Sequence, residues 1–208
     1  MLVIAAVIVA LRVLLKSAQL PIIPGSVYIT FGFFANALGS MIYGPVLSLL
    51  VGAASDTIGA VIFPVGDYFF PFIITEMASS FIFALFLYRA KPTVLRIIAS
   101  RFFVVLVCNL ILTPIIMRWD YAYFGIEKSY KLFTLARTIK NAALFPLEAL
   151  LLVIFLRAVL PATNSLRLTY TGEEKLKITA KTVVVLSVMT VFAAACVFLY
   201  YKFYISKQ

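Results

Sequence analysis

Apolar residues run through this chain in long stretches, near 2–18, 31–44, 46–63, 72–90, 95–117, 134–160 and 178–204, and polar residues collect between them. A helix needs roughly 20 residues to cross the hydrocarbon core of a bilayer. The pattern therefore predicts an all-α membrane protein, a six-helix transmembrane bundle followed by an additional C-terminal transmembrane helix. The punctuation between the runs is uneven. Tyr43-Gly44-Pro45 and Ala90-Lys91-Pro92 are tight turns that hold antiparallel neighbours together. At the other end the connections are longer and rich in aromatics and proline: Pro21-Ile22-Ile23-Pro24-Gly25, the stretch Phe63 to Pro71, and Trp119 to Tyr130. Such connections suit either a lid over a site at that end or an aromatic belt at the membrane interface.

Composition agrees with the pattern, since 208 residues that are 64% hydrophobic and 12% charged do not describe a soluble domain. The net charge of +10 does not point to nucleic acid, because the basic residues are dispersed at helix ends. They report topology instead. Arg89, Lys91, Arg96 and Arg101 flank one connection and Arg157, Arg167, Lys175, Lys177 and Lys181 another, which makes both cytoplasmic. The N-terminus then lies inside, and the connections near 19–30, 64–71 and 118–133 lie outside. Met1 to Leu15 reads as a retained first helix, without a basic leader or a cleavage site. Residues 1–161 form the expected core, 162–181 a charged cytoplasmic linker and 182–204 the additional helix. Histidine is absent and Cys108 and Cys196 are isolated in apolar runs, which removes metal clusters, thiol pairs and the usual general base.

Charge inside the apolar runs is costly, so it marks a wet cavity or a pathway. Arg137-Thr-Ile-Lys-Asn-Ala-Ala-Leu-Phe-Pro-Leu-Glu148 opens an otherwise apolar helix, and its spacing lets Arg137, Lys140, Asn141 and Glu148 project together. Anchoring at the headgroups is the alternative for the two cations. Gly52, Ser55 and Gly59 make a small face around Asp56, which needs either a basic neighbour or a ligand donor, and Glu76 poses the same question. Ala6 and Ala10 are four residues apart on the first helix, a spacing that permits close helix approach.

Three blocks, Phe31-Gly-Phe-Phe-Ala-Asn-Ala-Leu, the stretch from Gly44 to Phe72 and the block from Arg137 to Glu148, together resemble the S components of energy-coupling factor (ECF) transporters, and among these the folate-specific family. The resemblance covers residues 2 to about 160. It implies a six-helix bundle in the bacterial cell membrane that captures a vitamin from outside. It also implies partners, a transmembrane scaffold subunit and two ATPase subunits, that drive release by toppling the bundle. Ala6 and Ala10 would then lie where the scaffold docks. The chain itself has no Walker A loop, so ATP hydrolysis by that route belongs to a partner, and no cofactor is implied.

For folate, the flat pterin calls for aromatic stacking and a hydrogen-bonding edge, which Tyr68, Phe69, Phe33, Asn36 and an acid such as Asp56 or Glu76 can supply. The glutamate tail calls for cations, with Arg137 and Lys140 as candidates beside Asn141, joined by Lys16 or Arg12. The same architecture can serve thiamine or its pyrimidine, riboflavin or a queuosine precursor, because fold does not fix ligand. A membrane-embedded enzyme using Asp56, Glu76 and Glu148 is a more distant reading, without a nucleophile or metal constellation behind it. After residue 160 the chain departs from the six-helix relatives by its extra apolar segment.

Overall fold

The computed structural model describes residues 2–23, 27–64, 68–125, 135–166, 168, 169, 176 and 180–200. Pro24, Gly25, residues 65–67, the stretch 126–134 with Lys128 and Lys131, residues 170–175 and 177–179 of the charged segment, the Cys196 side chain and residues 201–204 lie outside that set.

Helix α1 spans Leu2–Ser17 and is followed by a short antiparallel hairpin, β1 (Gln19–Ile23) with β2 (Val27–Thr30). Helix α2 spans Gly32–Ile62, interrupted at Gly44, whose φ of 79° lies in the left-handed region. Asn36 donates to Ser79, while a Cβ on Gly52 would meet Ser80. Residues eight before and eight after Gly44 thus reach neighbouring positions of one helix, so the chain reverses at the Tyr43-Gly44-Pro45 turn. A turn of 3₁₀ helix (Phe70–Phe72) leads into α3 (Ile73–Leu87). Then α4 (Val94–Val104), a π-helical segment (Val105–Leu112) and α5 (Thr113–Tyr123) run on without a break. Helices α6 (Leu135–Ser165) and α7 (Ala180–Tyr200) complete the order and pack on each other.

Among the described residues, Gly32–Ile62, Phe70–Leu87, Val94–Tyr123 and Arg137–Ser165 are long and apolar enough to cross a membrane. Thr182–Phe192 within α7 forms a shorter apolar helix. Two connections differ from the sequence reading. Pro21-Ile22-Ile23 belongs to a strand rather than an open loop, and residues 118–123, expected in an outer connection, extend α5 by more than a turn. Helix α6 continues past Pro161 to Ser165.

The π-helical segment follows from Pro114. Proline has no N–H to donate and its ring crowds the carbonyl four residues back. Widening the helix lets the Thr113 N–H bond the Cys108 carbonyl, and the Thr113 hydroxyl donates to the same oxygen at 2.7 Å.

Apolar packing fills the half of the bundle near the two tight turns, where Met41, Ile42, Phe83, Leu87, Val94, Ile97, Leu152 and Leu156 form one buried cluster. The turns also pack on each other, because the Tyr88 ring lies where a Cβ on Gly44 would stand, at 2.8 Å. Gly44→Ala is therefore expected to lose about 2–4 kcal/mol of stability, combining a left-handed backbone with overpacking. Thermal unfolding in detergent checks this, and an unchanged midpoint would contradict it.

Candidate functional site

The other half of the bundle is hollow. Its cavity of about 490 Å³ lies between the last turns of α1, the first turns of α2 and α3, the π-helical segment and the first turns of α6. That volume is within the range of small-molecule sites. Along α6 the lining runs from Arg137 to Glu148, a depth of about 16 Å at the helical rise per residue. A smaller cavity of about 320 Å³ adjoins it beneath the aromatic connection, and Lys16, Thr75 and Glu76 line both.

Between the two cavities stands an ionic network. Positions 12 and 16 share a face of α1, so Arg12 and Lys16 point into the bundle together. Arg12, only 5% exposed, donates to Glu76 Oε2 at 3.0 Å and to the Ser80 hydroxyl at 3.0 Å. Lys16 Nζ donates to Asp56 Oδ1 at 2.8 Å and to Glu76 Oε1 at 3.1 Å. The Tyr68 hydroxyl donates to Asp56 Oδ2 at 3.1 Å. Burial, and after it the negative Asp56, push the Tyr68 phenol above the ordinary tyrosine range, which keeps it a donor. The partner that Asp56 required is thus a basic neighbour, and both oxygens of each acid already accept a bond within the protein.

The deep end carries a second buried pair. Arg101 donates from Nε at 3.2 Å and from Nη2 at 2.7 Å, both to Glu148 Oε2, and its guanidinium lies 4.4 Å from the Phe33 ring centre. The sequence reading placed Arg101 among the charges of a cytoplasmic connection. It lies instead in the third turn of α4, 7% exposed, where Glu148 compensates the charge. Amides line the same cavity. Asn36 donates to Ser79 at 2.6 Å, and Asn109 donates to Asn141 at 3.0 Å.

Of the residues singled out by sequence, Lys16, Phe33, Asn36, Glu76, Arg137, Lys140, Asn141 and Glu148 line the larger cavity. Asp56, Tyr68 and Phe69 line the smaller one. Phe69 is buried against Trp119, Tyr123 and Phe124, with ring centres 5.5, 5.6 and 6.2 Å away, so the aromatic connection is tied to the end of α5. Ala6 and Ala10 are on the outer face of α1, exposed beside Val3, Val7 and Leu14. Sequence reasoning missed Arg101, Asn109, Ser79 and Thr113 as lining residues. Arg101 and Asn109 carried the same signal as Arg137, a polar side chain inside the apolar run 95–117. Among the described residues no group of three or more acids or cysteines gathers to hold a metal.

Comparison with known proteins fits this geometry. Residues 1–158 match the family described as ECF-type riboflavin transporter, S component. The chain is 34% identical over 136 residues to the folate transporter FolT of Clostridium novyi (strain NT), covering 65% of this chain and 74% of that protein. It is 30% identical over 147 residues to the folate transporter FolT of Leuconostoc mesenteroides, covering 70% of this chain and 78% of the other. A crystal structure of FolT bound with folic acid superposes with a TM-score of 0.60 at 25% identity, over 72% of this chain and 87% of that one. With its apolar helices long enough to cross a membrane, the chain is a multi-pass membrane protein and a transport subunit rather than an enzyme. It belongs to the S components of ECF-type transporters.

Proposed function

We propose that this protein captures folate or a reduced folate from outside the cell and delivers it inward by toppling when docked to a scaffold subunit and two ATPases. The observation that carries the ligand is the two-ended chemistry of the larger cavity. Cations on the first two turns of α6, Arg137 and Lys140, lie toward its mouth, and the amides Asn141 and Asn109 follow at the next level. The Phe33 ring lies with Arg101 and Glu148 at the deep end, with Asn36 one turn from Phe33. A ligand with a flat heteroaromatic head and a carboxylate tail matches that order. Lys16 completes the cationic rim, and the likeness to two folate transporters points the same way. Tyr68, Phe69 and Asp56 then act from the adjoining cavity, holding the aromatic connection over the site.

Isothermal titration of the detergent-purified chain with folate and with pteroate, which keeps the ring system and lacks the glutamate, tests the ligand. Folate binds tightly and pteroate binds the same site more weakly. Heat with neither overturns the reading. The family description names riboflavin, whose ribityl chain carries no carboxylate, so riboflavin belongs in the same titration as the rival.

For docking, the exposed stripe of Val3, Ala6, Val7, Ala10 and Leu14 offers small residues where another helix can approach closely. The N-terminus is then cytoplasmic and the hollow half of the bundle faces outward. Leucine at both Ala6 and Ala10 is expected to leave folate affinity unchanged and to reduce uptake in proteoliposomes containing the scaffold and ATPases by about tenfold or more, the effect of crowding a close helix contact. Undiminished uptake would remove this face from the docking assignment.

A further inference from the structure

The pterin head of folate reads differently from the flavin head of riboflavin along the edge of the pyrimidine ring. In folate the 2-amino group and N3–H are adjacent donors beside the O4 acceptor. In riboflavin a single N3–H stands between two carbonyl oxygens. A residue that separates the two must present an acceptor to the donor pair, and a carboxylate oxygen, which only accepts, is the strongest choice.

Of the three acids lining the cavities, Asp56 and Glu76 have each oxygen already accepting a bond, from Lys16, Arg12 or Tyr68. Glu148 is different. Both bonds from Arg101 fall on Oε2, and among the described residues Oε1 accepts none. Glu148 lines the deep end of the larger cavity and is 7% exposed, so its orientation is set by the protein rather than by water. Arg101 fixes that orientation from one side and is itself covered by the Phe33 ring. Arg101 spends Nε and Nη2 on the pair and keeps Nη1 as a donor.

The geometry points to Glu148 as the specificity-determining residue of this site: Oε1 accepts from the 2-amino-pyrimidinone edge of the ligand, and Arg101, as positioning residue, holds the carboxylate and offers a donor toward O4. This rests on the folate reading above. The pair is then complementary to a donor-donor-acceptor edge and opposes the acceptor-donor-acceptor edge of a flavin, whose carbonyl oxygens would face a carboxylate. Rejection of that kind is larger than size exclusion can give, because it leaves buried polar groups unpaired.

The test uses two independent measurements. On the unaltered chain, a folic acid analogue with methyl in place of the 2-amino group is expected to bind about tenfold to a hundredfold more weakly than folic acid, the worth of hydrogen bonds to a charged group. Glu148→Gln, checked for a normal thermal unfolding profile, is expected to weaken folate and pteroate by a similar factor and to narrow the margin over riboflavin. Equal binding of the analogue and folic acid to the unaltered chain overturns the assignment, whatever the variant does. So does a folded Glu148→Gln variant with full folate affinity. If the unaltered chain binds no folate at all, the functional reading fails first and this inference falls with it.

Discussion

Alanine at both Arg137 and Lys140 is expected to weaken folate binding by about a hundredfold to a thousandfold. Each charge-assisted bond to a carboxylate contributes about 1.5–3 kcal/mol, and two are removed. The lower part of the combined range applies, since both side chains are only half-buried at the mouth and water shares the interaction. The same double variant should weaken pteroate much less, because pteroate lacks both glutamate carboxylates and keeps only the shorter-reaching benzoate carboxylate. Calorimetric titration of both ligands checks this, and unchanged folate affinity would remove the tail-binding role. The pattern is the complement of the one expected at Glu148, where folate and pteroate weaken together. The two variants thus report on opposite ends of one ligand.

The second large effect is on stability. Arg101→Met is expected to cost about 3–5 kcal/mol, because it strands a buried carboxylate whose hydrogen bonds both came from the lost guanidinium. The side chains of Arg101 and Glu148 are 8% and 10% exposed, so water reaching them through the cavity replaces the lost bonds only in part. The double variant Arg101→Met, Glu148→Met should recover most of that loss, since an apolar pair of similar volume fills the space without a charge to compensate. Thermal unfolding in detergent is the readout. A single variant as stable as the parent would show that the pair is not held as the geometry indicates. By contrast, each acid of the Arg12, Lys16, Asp56 and Glu76 network keeps a second cation or a hydroxyl when one cation is lost, so removing Arg12 or Lys16 should be milder.

Much of the architecture is legible in the chain because a membrane helix writes itself as a long apolar run. The turn at Gly44 and Pro45 is visible too, since the left-handed φ there demands glycine. The face formed by Arg137, Lys140, Asn141 and Glu148 follows from helical spacing alone, and all four line one cavity. What remained hidden depends on pairing that the local pattern does not show. The hairpin of Gln19–Ile23 with Val27–Thr30 contains Pro21 and reads as a loop until its pairing is known. Trp119 to Tyr123 are aromatic enough for an interfacial loop, yet they extend α5, where Trp119 and Tyr123 pack on Phe69. Arg101 counts as a cytoplasmic charge by position and becomes a cavity residue only once Glu148, 47 residues away, is seen beside it. Asp56 and Glu76 are the natural acids for a ligand edge on sequence alone, and only the bonds from Arg12, Lys16 and Tyr68 show that their oxygens are taken, while among the described residues Glu148 keeps Oε1 open.

The central claim is that the hollow half of this bundle is a folate site, and tryptophan fluorescence tests it most directly. Trp119 is the single tryptophan and packs edge-on against Phe69, which lines the cavity adjoining the larger site. A ligand that settles the aromatic connection should change its emission. Titrating the detergent-purified chain with folate is expected to give a saturable change that riboflavin does not produce. Saturation by riboflavin with no response to folate, under the same conditions, would contradict the account.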